Sequence, residues 1–167
     1  MADTKSNLEK FDKLVNPNNV PVYYNSKDKK GPNAKRVPAK TMSECYDEID
    51  SEYKNIKMAS HLIGLVDIDV DDENEMNTLT DELDEMGLNY VLVKTTKEGH
   101  YHIILKRPDD LENRKLINGM KLSWISQDYK YVGPDFLMYW GATLPTPYND
   151  REFLIIPETL DEIPEHW

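Results

Sequence analysis

The sequence predicts an α+β fold, a mixed or antiparallel sheet with flanking helices. Three observations predict it. Residues 61–70 (HLIGLVDIDV) are rich in β-branched residues and alternate as a strand does. Directly afterwards, Met76, Leu79, Leu83 and Met86 fall at helical spacing with acids between them. Two further strand-like runs, NYVLVKTT and HYHIIL, are joined by the tight turn Lys97-Glu98-Gly99.

The elements follow in order. Residues 1–18 are polar without a sustained period and read as a short helix or a loose leader before Asn16-Pro17-Asn18-Asn19. Residues 20–24 read as a short strand. A helix is expected over 41–56, opened by a Thr41/Glu44 capping box. The strand over 61–70 leads into a helix capped by Asp72 and Glu75 and closed by Gly87. Strands over 89–96 and 100–105 form the hairpin. Pro108 and Asp109 open a helix ending near Gly119, and strands are expected over 136–140 and 152–156. There is no internal repeat. One domain spanning 20–158 is expected, between a polar leader (1–19) and a short tail (159–167).

Composition narrows the function classes. The 167 residues suffice for one ordinary domain and not for two large ones. Mean hydropathy is -0.69, yet 3 Trp, 10 Tyr and 3 Phe provide core material. No run approaches the roughly 18–20 apolar residues of a bilayer span, and no secretory leader follows Met1, so no membrane partner is expected. Cys45 is the single cysteine, which excludes an internal disulfide framework and a cysteine-based zinc site. The expected compartment is the cytoplasm of a bacterial, archaeal or virus-infected cell.

The net charge of -11 argues against a protein that coats nucleic acid. Its distribution is more informative. Residues 67–85 carry ten acids and no Lys or Arg. Residues 26–40 carry six basic residues (Lys27, Lys29, Lys30, Lys35, Arg36, Lys40) against Asp28, a local charge of 6 − 1 = +5. Gly31, Pro32 and Pro38 mark that stretch as an irregular loop. It reads as a solvated linker, or as an arm that touches phosphates if the chain has a phosphate-handling site.

Such a site is suggested by Asp67, Asp69 and Asp71, whose period of two puts their carboxylates on one strand face. Like charges that close repel unless a cation sits between them, and Mg²⁺ binds through one or two carboxylates completed by phosphates and water. A solvated strand edge explains Asp71 and Asp72 as well. It explains Asp67 and Asp69 less well, because they lie within an apolar run. His100 and His102 also share a face. They read as a metal-binding pair, as surface histidines, or as one phosphate donor helped by Lys94, Thr95 and Thr96 across the turn. In a strand-helix-strand-strand unit the Asp and His strands can be neighbours, so that carboxylates and imidazole converge on one cleft.

The segment GLVDIDVDD resembles the Asp-x-Asp motif of the archaeo-eukaryotic primase superfamily, in its primase-polymerase branch. VLVKTTKEGHYHIIL resembles that family's second motif, a small-x-His sequence after a Gly-containing turn. KKGPNAKRVPAKTMSECYDEI resembles the loop and helix that precede the Asp strand, and REFLIIPETL the terminal strand ending in Pro. The resemblance covers roughly residues 20–158 and implies an RRM-like primase-polymerase core. It implies a template-dependent nucleotidyltransferase using Mg²⁺ or Mn²⁺ and nucleoside triphosphates on single-stranded or primed DNA. A replicative helicase or other replication protein is an implied partner.

Carried over by position, Asp67 and Asp69 become metal ligands, with Asp135 as third acid and Asp128 as runner-up. His102 contacts the triphosphate, helped by Lys94 or Thr96, with Thr95 and His100 alongside. His100 stands where the family has a small residue. Two metal ions would activate a 3′-hydroxyl and neutralise the leaving pyrophosphate. Lys29, Lys30, Lys35 and Arg36 would contact nucleic acid. The chain is expected to be a standalone enzyme or the catalytic part of a longer one.

Two other classes compete. A His-x-His nickase of replication-initiator type needs a catalytic Tyr after the histidines. Tyr129, Tyr131, Tyr139 and Tyr148 are available, but none opens a Tyr-x-x-Lys. An acidic, non-catalytic protein, on a primase-like fold or as a plain interaction domain, would bind neither nucleotide nor metal.

Overall fold

The computed structural model describes residues 3–27, 39–108, 135–137, 140–165 and 167. The expected helix after Pro108 and the basic segment from Lys29 to Arg36 lie outside the described residues.

The first helix, α1 (Thr4–Val15), is capped by Asp3, whose side chain accepts from the Lys5 amide. Its Leu8, Phe11 and Val15 are buried, so this polar stretch carries a narrow apolar stripe that fixes it to the core. Strand β1 (Tyr23–Ser26) follows. Helix α2 (Met42–Glu48) opens with the expected Thr41/Glu44 capping box but stops well short of residue 56. Ile49 is extended, and the Asp50 carboxylate accepts from the amides of Glu52 and Tyr53, turning the chain. The residues beyond form a strand the sequence did not announce, β2 (Asn55–Ala59).

A short 3₁₀ turn, Ser60–Ile63, ends on Gly64 at φ 66°, a backbone position that favours glycine. The strand expected from residue 61 therefore begins later, as β3 (Leu65–Val70). Helix α3 (Glu73–Glu85) has its first amides capped by Asp72. It closes in a Schellman arrangement: the Gly87 amide donates to Asp84 and the Leu88 amide to Leu83. The hairpin is β4 (Val91–Lys94) and β5 (Tyr101–Lys106), with Gly99 at φ 78° in the turn. The strand expected over 136–140 is divided between two sheets, as β6 (Asp135–Leu137) and β7 (Trp140–Leu144). Strand β8 (Glu152–Ile155) comes last.

Among the described residues there are two antiparallel sheets, ordered β1-β2-β7 and β6-β3-β5-β4-β8. In the larger, β5 lies between β3 and β4, so the β3-α3-β4 connection spans a strand and the hairpin returns into the gap. One face packs Val66, Ile68, Val70, Leu92, Tyr101, Ile103 and Leu105 against Met76, Leu79 and Leu83 of α3. The other face gives Leu65, Val91, Val93, Ile104 and Phe153 to a second core, shared with α1, α2 and the smaller sheet. Each such buried aliphatic side chain contributes about 1.5–3 kcal/mol. Leu160, Ile163 and Trp167 of the tail are buried as well. Among the described residues no helix is long and apolar enough to cross a membrane.

Candidate functional site

Strand β3 alternates between the two cores. Val66, Ile68 and Val70 face α3, so Asp67 and Asp69 fall on the opposite face. Antiparallel pairing then selects their neighbours. Asp69 stands across from His102 on β5 and from Asp135 on β6. Directly opposed residues share a face. The expected convergence of the Asp and His strands is therefore present, and Asp135 holds the register position opposite Asp69. Asp128 lies outside the described residues.

Asp67 is fully buried, at 0% exposure. Both of its oxygens lie within hydrogen-bond distance of His102 Nδ1, at 2.8 and 2.9 Å. A carboxylate accepts and does not donate, so Nδ1 carries the hydrogen and Nε2 is directed elsewhere. Nε2 lies 3.8 Å from Asp69 Oδ1. The Asp69 side chain is 32% exposed and that of His102 11%, so the array opens towards solvent at Asp69. Burial works against a charged His102. The charge and hydrogen bond of Asp67, with the charge of Asp69, outweigh it and raise the imidazole's pKa above its ordinary value, while Arg151 acts in the opposite sense.

The next row extends the polar surface. His100 Nδ1 lies 3.0 Å from Asp71 Oδ1, so the two histidines engage different carboxylates rather than converging on one point. That separation is unlike a shared His-x-His metal site. The buried Thr95 receives the chain's return through its amide, which donates to the His100 carbonyl. Lys94 is placed otherwise. It stands across from Tyr101, on the face of α3, and does not join His102. Thr96 is exposed in the turn.

Arg151 escaped the sequence reading. It precedes β8, two residues before Phe153, which pairs with Val93, the neighbour of His102. Its placement becomes legible only once β8 is known to pair with β4. Asn149 fixes the approach: its Oδ1 accepts from the amides of Thr146 and Arg151, and its Nδ2 donates to Asn55 Oδ1 and the Leu144 carbonyl.

The basic segment is rooted nearby. Ser26, at the end of β1, pairs with the same Asn55. Lys27 is held by Glu52 at 2.7 Å and lies over the Tyr53 ring, and Lys40 pairs with Glu48. Lys29, Lys30, Lys35 and Arg36 lie outside the described residues, as do Tyr129, Tyr131 and Tyr139 of the nickase reading, whereas Tyr148 is exposed.

Among the described residues no group of three or more His, Cys, Asp or Glu side chains is arranged to hold a metal ion. Comparison with protein-family models, curated proteins and solved structures found no match.

Proposed function

We propose that the protein is a template-dependent nucleotidyltransferase, a DNA primase or polymerase, acting on nucleoside triphosphates with Mg²⁺ or Mn²⁺. One observation carries this reading: Asp67, Asp69 and His102 meet on a single sheet face, with Asp135 in register opposite Asp69. The strand order β6-β3-β5-β4 around a β-α-β-β unit supports the RRM-like primase-polymerase core that the sequence resemblance implies.

The donor set suits a hard divalent cation. Carboxylate oxygens project from one face, and Asp69 is open to solvent, as a cation completed by phosphate oxygens and water requires. Asp69, with Asp135 in register opposite it, would hold it, and Asp67 lies buried behind them on the same face. A divalent cation bound there supplies charge neutralisation at the transferring phosphoryl group and lowers the pKa of the attacking hydroxyl.

The chain's own residues do the rest. His102, with Nδ1–H committed to Asp67, offers Nε2–H of the protonated ring as the donor to a triphosphate oxygen. Arg151, beside it, adds positive charge for the same group. The segment holding Lys29, Lys30, Lys35 and Arg36 leaves β1 next to Asn55, which shares Asn149 with the Arg151 turn. Basic side chains rooted there would meet template phosphates, each contact steepening the salt dependence of binding by about 0.7–0.9 in log–log slope.

Incubation with labelled nucleotides, primed and unprimed template, and either Mg²⁺ or Mn²⁺ tests the reading. Primer extension or dinucleotide formation is expected, and the double variant Asp67→Ala/Asp69→Ala should abolish it. Unchanged incorporation in that variant, or none by the parent protein under any of these conditions, overturns the proposal.

A further inference from the structure

The two β3 carboxylates, equivalent in the sequence, are not equivalent in the fold. Asp67 is at 0% exposure and both of its oxygens lie within hydrogen-bond distance of His102 Nδ1, whereas Asp69 is 32% exposed at the mouth of the array. A cation that keeps several waters and phosphate oxygens needs a ligand reachable from solvent. Only Asp69 of this pair meets that need. We infer that Asp67 is a positioning residue that orients His102, and that cation binding falls to Asp69 and not to Asp67.

This inference rests on the nucleotidyltransferase reading for the use made of His102, but the division of labour is a property of the chain itself. Asp67 accepts from Nδ1–H, which leaves Nε2 as the only ring nitrogen facing the open side. Without that partner the ring can turn over or change tautomer, and the nitrogen presented to a phosphate is no longer fixed. Carboxylates that orient a metal-ligating histidine typically matter by about 10–100-fold when replaced, and an effect of the same order is expected for a histidine that must present one nitrogen to a phosphate.

The test separates the two carboxylates by readouts that need no turnover. Imidazole nitrogen NMR of the parent protein should show His102 with a protonated, hydrogen-bonded Nδ1, and that signal should persist when Mg²⁺ is added. In Asp67→Asn the tautomer signature should change, while Mn²⁺ affinity, read by solvent-water relaxation, should shift by less than about threefold. Asp69→Asn should lose Mn²⁺ affinity by about tenfold or more and leave the His102 signature in place. In the nucleotide assay, Asp67→Asn should reduce incorporation about 10–100-fold, with partial rescue in Asp67→Glu.

Loss of the Nδ1 signal on adding Mg²⁺ to the parent protein overturns the inference, whether or not any variant folds. So does an equal loss of Mn²⁺ affinity in Asp67→Asn and Asp69→Asn. Absence of Mn²⁺ binding by the parent protein removes the cation half of the inference and counts against the nucleotidyltransferase reading too. Binding without incorporation removes that reading and leaves the division between Asp67 and Asp69 standing.

Discussion

The two faces of the five-stranded sheet are built from the same strands, one residue out of phase, and they have opposite chemistry. The α3 face is apolar along β3 and β5: Val66, Ile68, Val70, Tyr101, Ile103 and Leu105. The other face interleaves Leu65 and Ile104 with Asp67, Asp69, His100 and His102. The comparison teaches where such a fold tolerates charge. The buried carboxylate survives because it has a hydrogen-bonded counterpart on the adjacent strand, and the charged groups gather at the end of the face where Asp69 and Asp71 reach solvent. Helix α3 packs on the apolar residues of one face, and the opposite face is left to carry the chemistry.

Substitutions on each face sharpen that contrast. The largest loss of stability is expected from Asp67→Ala, which strands His102 in the interior and should cost about 3–5 kcal/mol by urea unfolding. A cost below about 1 kcal/mol would mean that the pair contributes little and that the two faces are energetically alike. On the α3 face, Ile103→Ala should cost about 2–5 kcal/mol from lost transfer energy and the cavity left behind. That variant should retain cation binding, since Ile103 packs on the α3 face and the polar array lies on the opposite one. Asp72→Ala removes the α3 cap and should cost about 1 kcal/mol without altering the opposite face.

A smaller effect lies in the second core. Burial pushes the Cys45 thiol up to about 12 from an ordinary value of 9.0. The folded state thus holds the proton over a range where the unfolded chain releases it. The stability this contributes is fully present below pH 9 and is lost as pH rises towards 12. Native Cys45 should resist alkylation at pH 8 and react at the rate of unfolding. Rapid alkylation of the folded protein would show that this core is looser than the α3 face.

The sequence disclosed the polar face largely because short-range periodicity controls it. Alternation placed Asp67 and Asp69 together, and the Gly99 turn brought His102 back along an adjacent strand. Helix α3 and both of its ends were legible from spacing, the Asp72 cap and Gly87. What escaped depends on contacts distant in sequence. Residues 55–59 continue a plausible helical pattern, and only the Asp50 turn and pairing with β1 and β7 make them β2. Phe136 and Trp140 look like one strand until partners in different sheets separate them. Lys94 is close to His102 in sequence, but strand parity sends it to the other face. Arg151 reaches the array only through the β4–β8 pairing, and the three-residue stripe of α1 was obscured by the polar residues around it.

The Asn149 side chain spends its hydrogen-bonding capacity on four groups, the Leu144 carbonyl at the end of β7, Asn55 of β2 and the amides of Thr146 and Arg151. It therefore behaves as a rivet between the two sheets. The turn from the buried Thr146 runs through exposed residues to the half-buried Arg151, and the amides at both of its ends are clamped by one side chain. Hydrogen exchange at Thr146 and Arg151 should consequently report when the smaller sheet separates from the larger, with Arg151 departing from His102 in the same event.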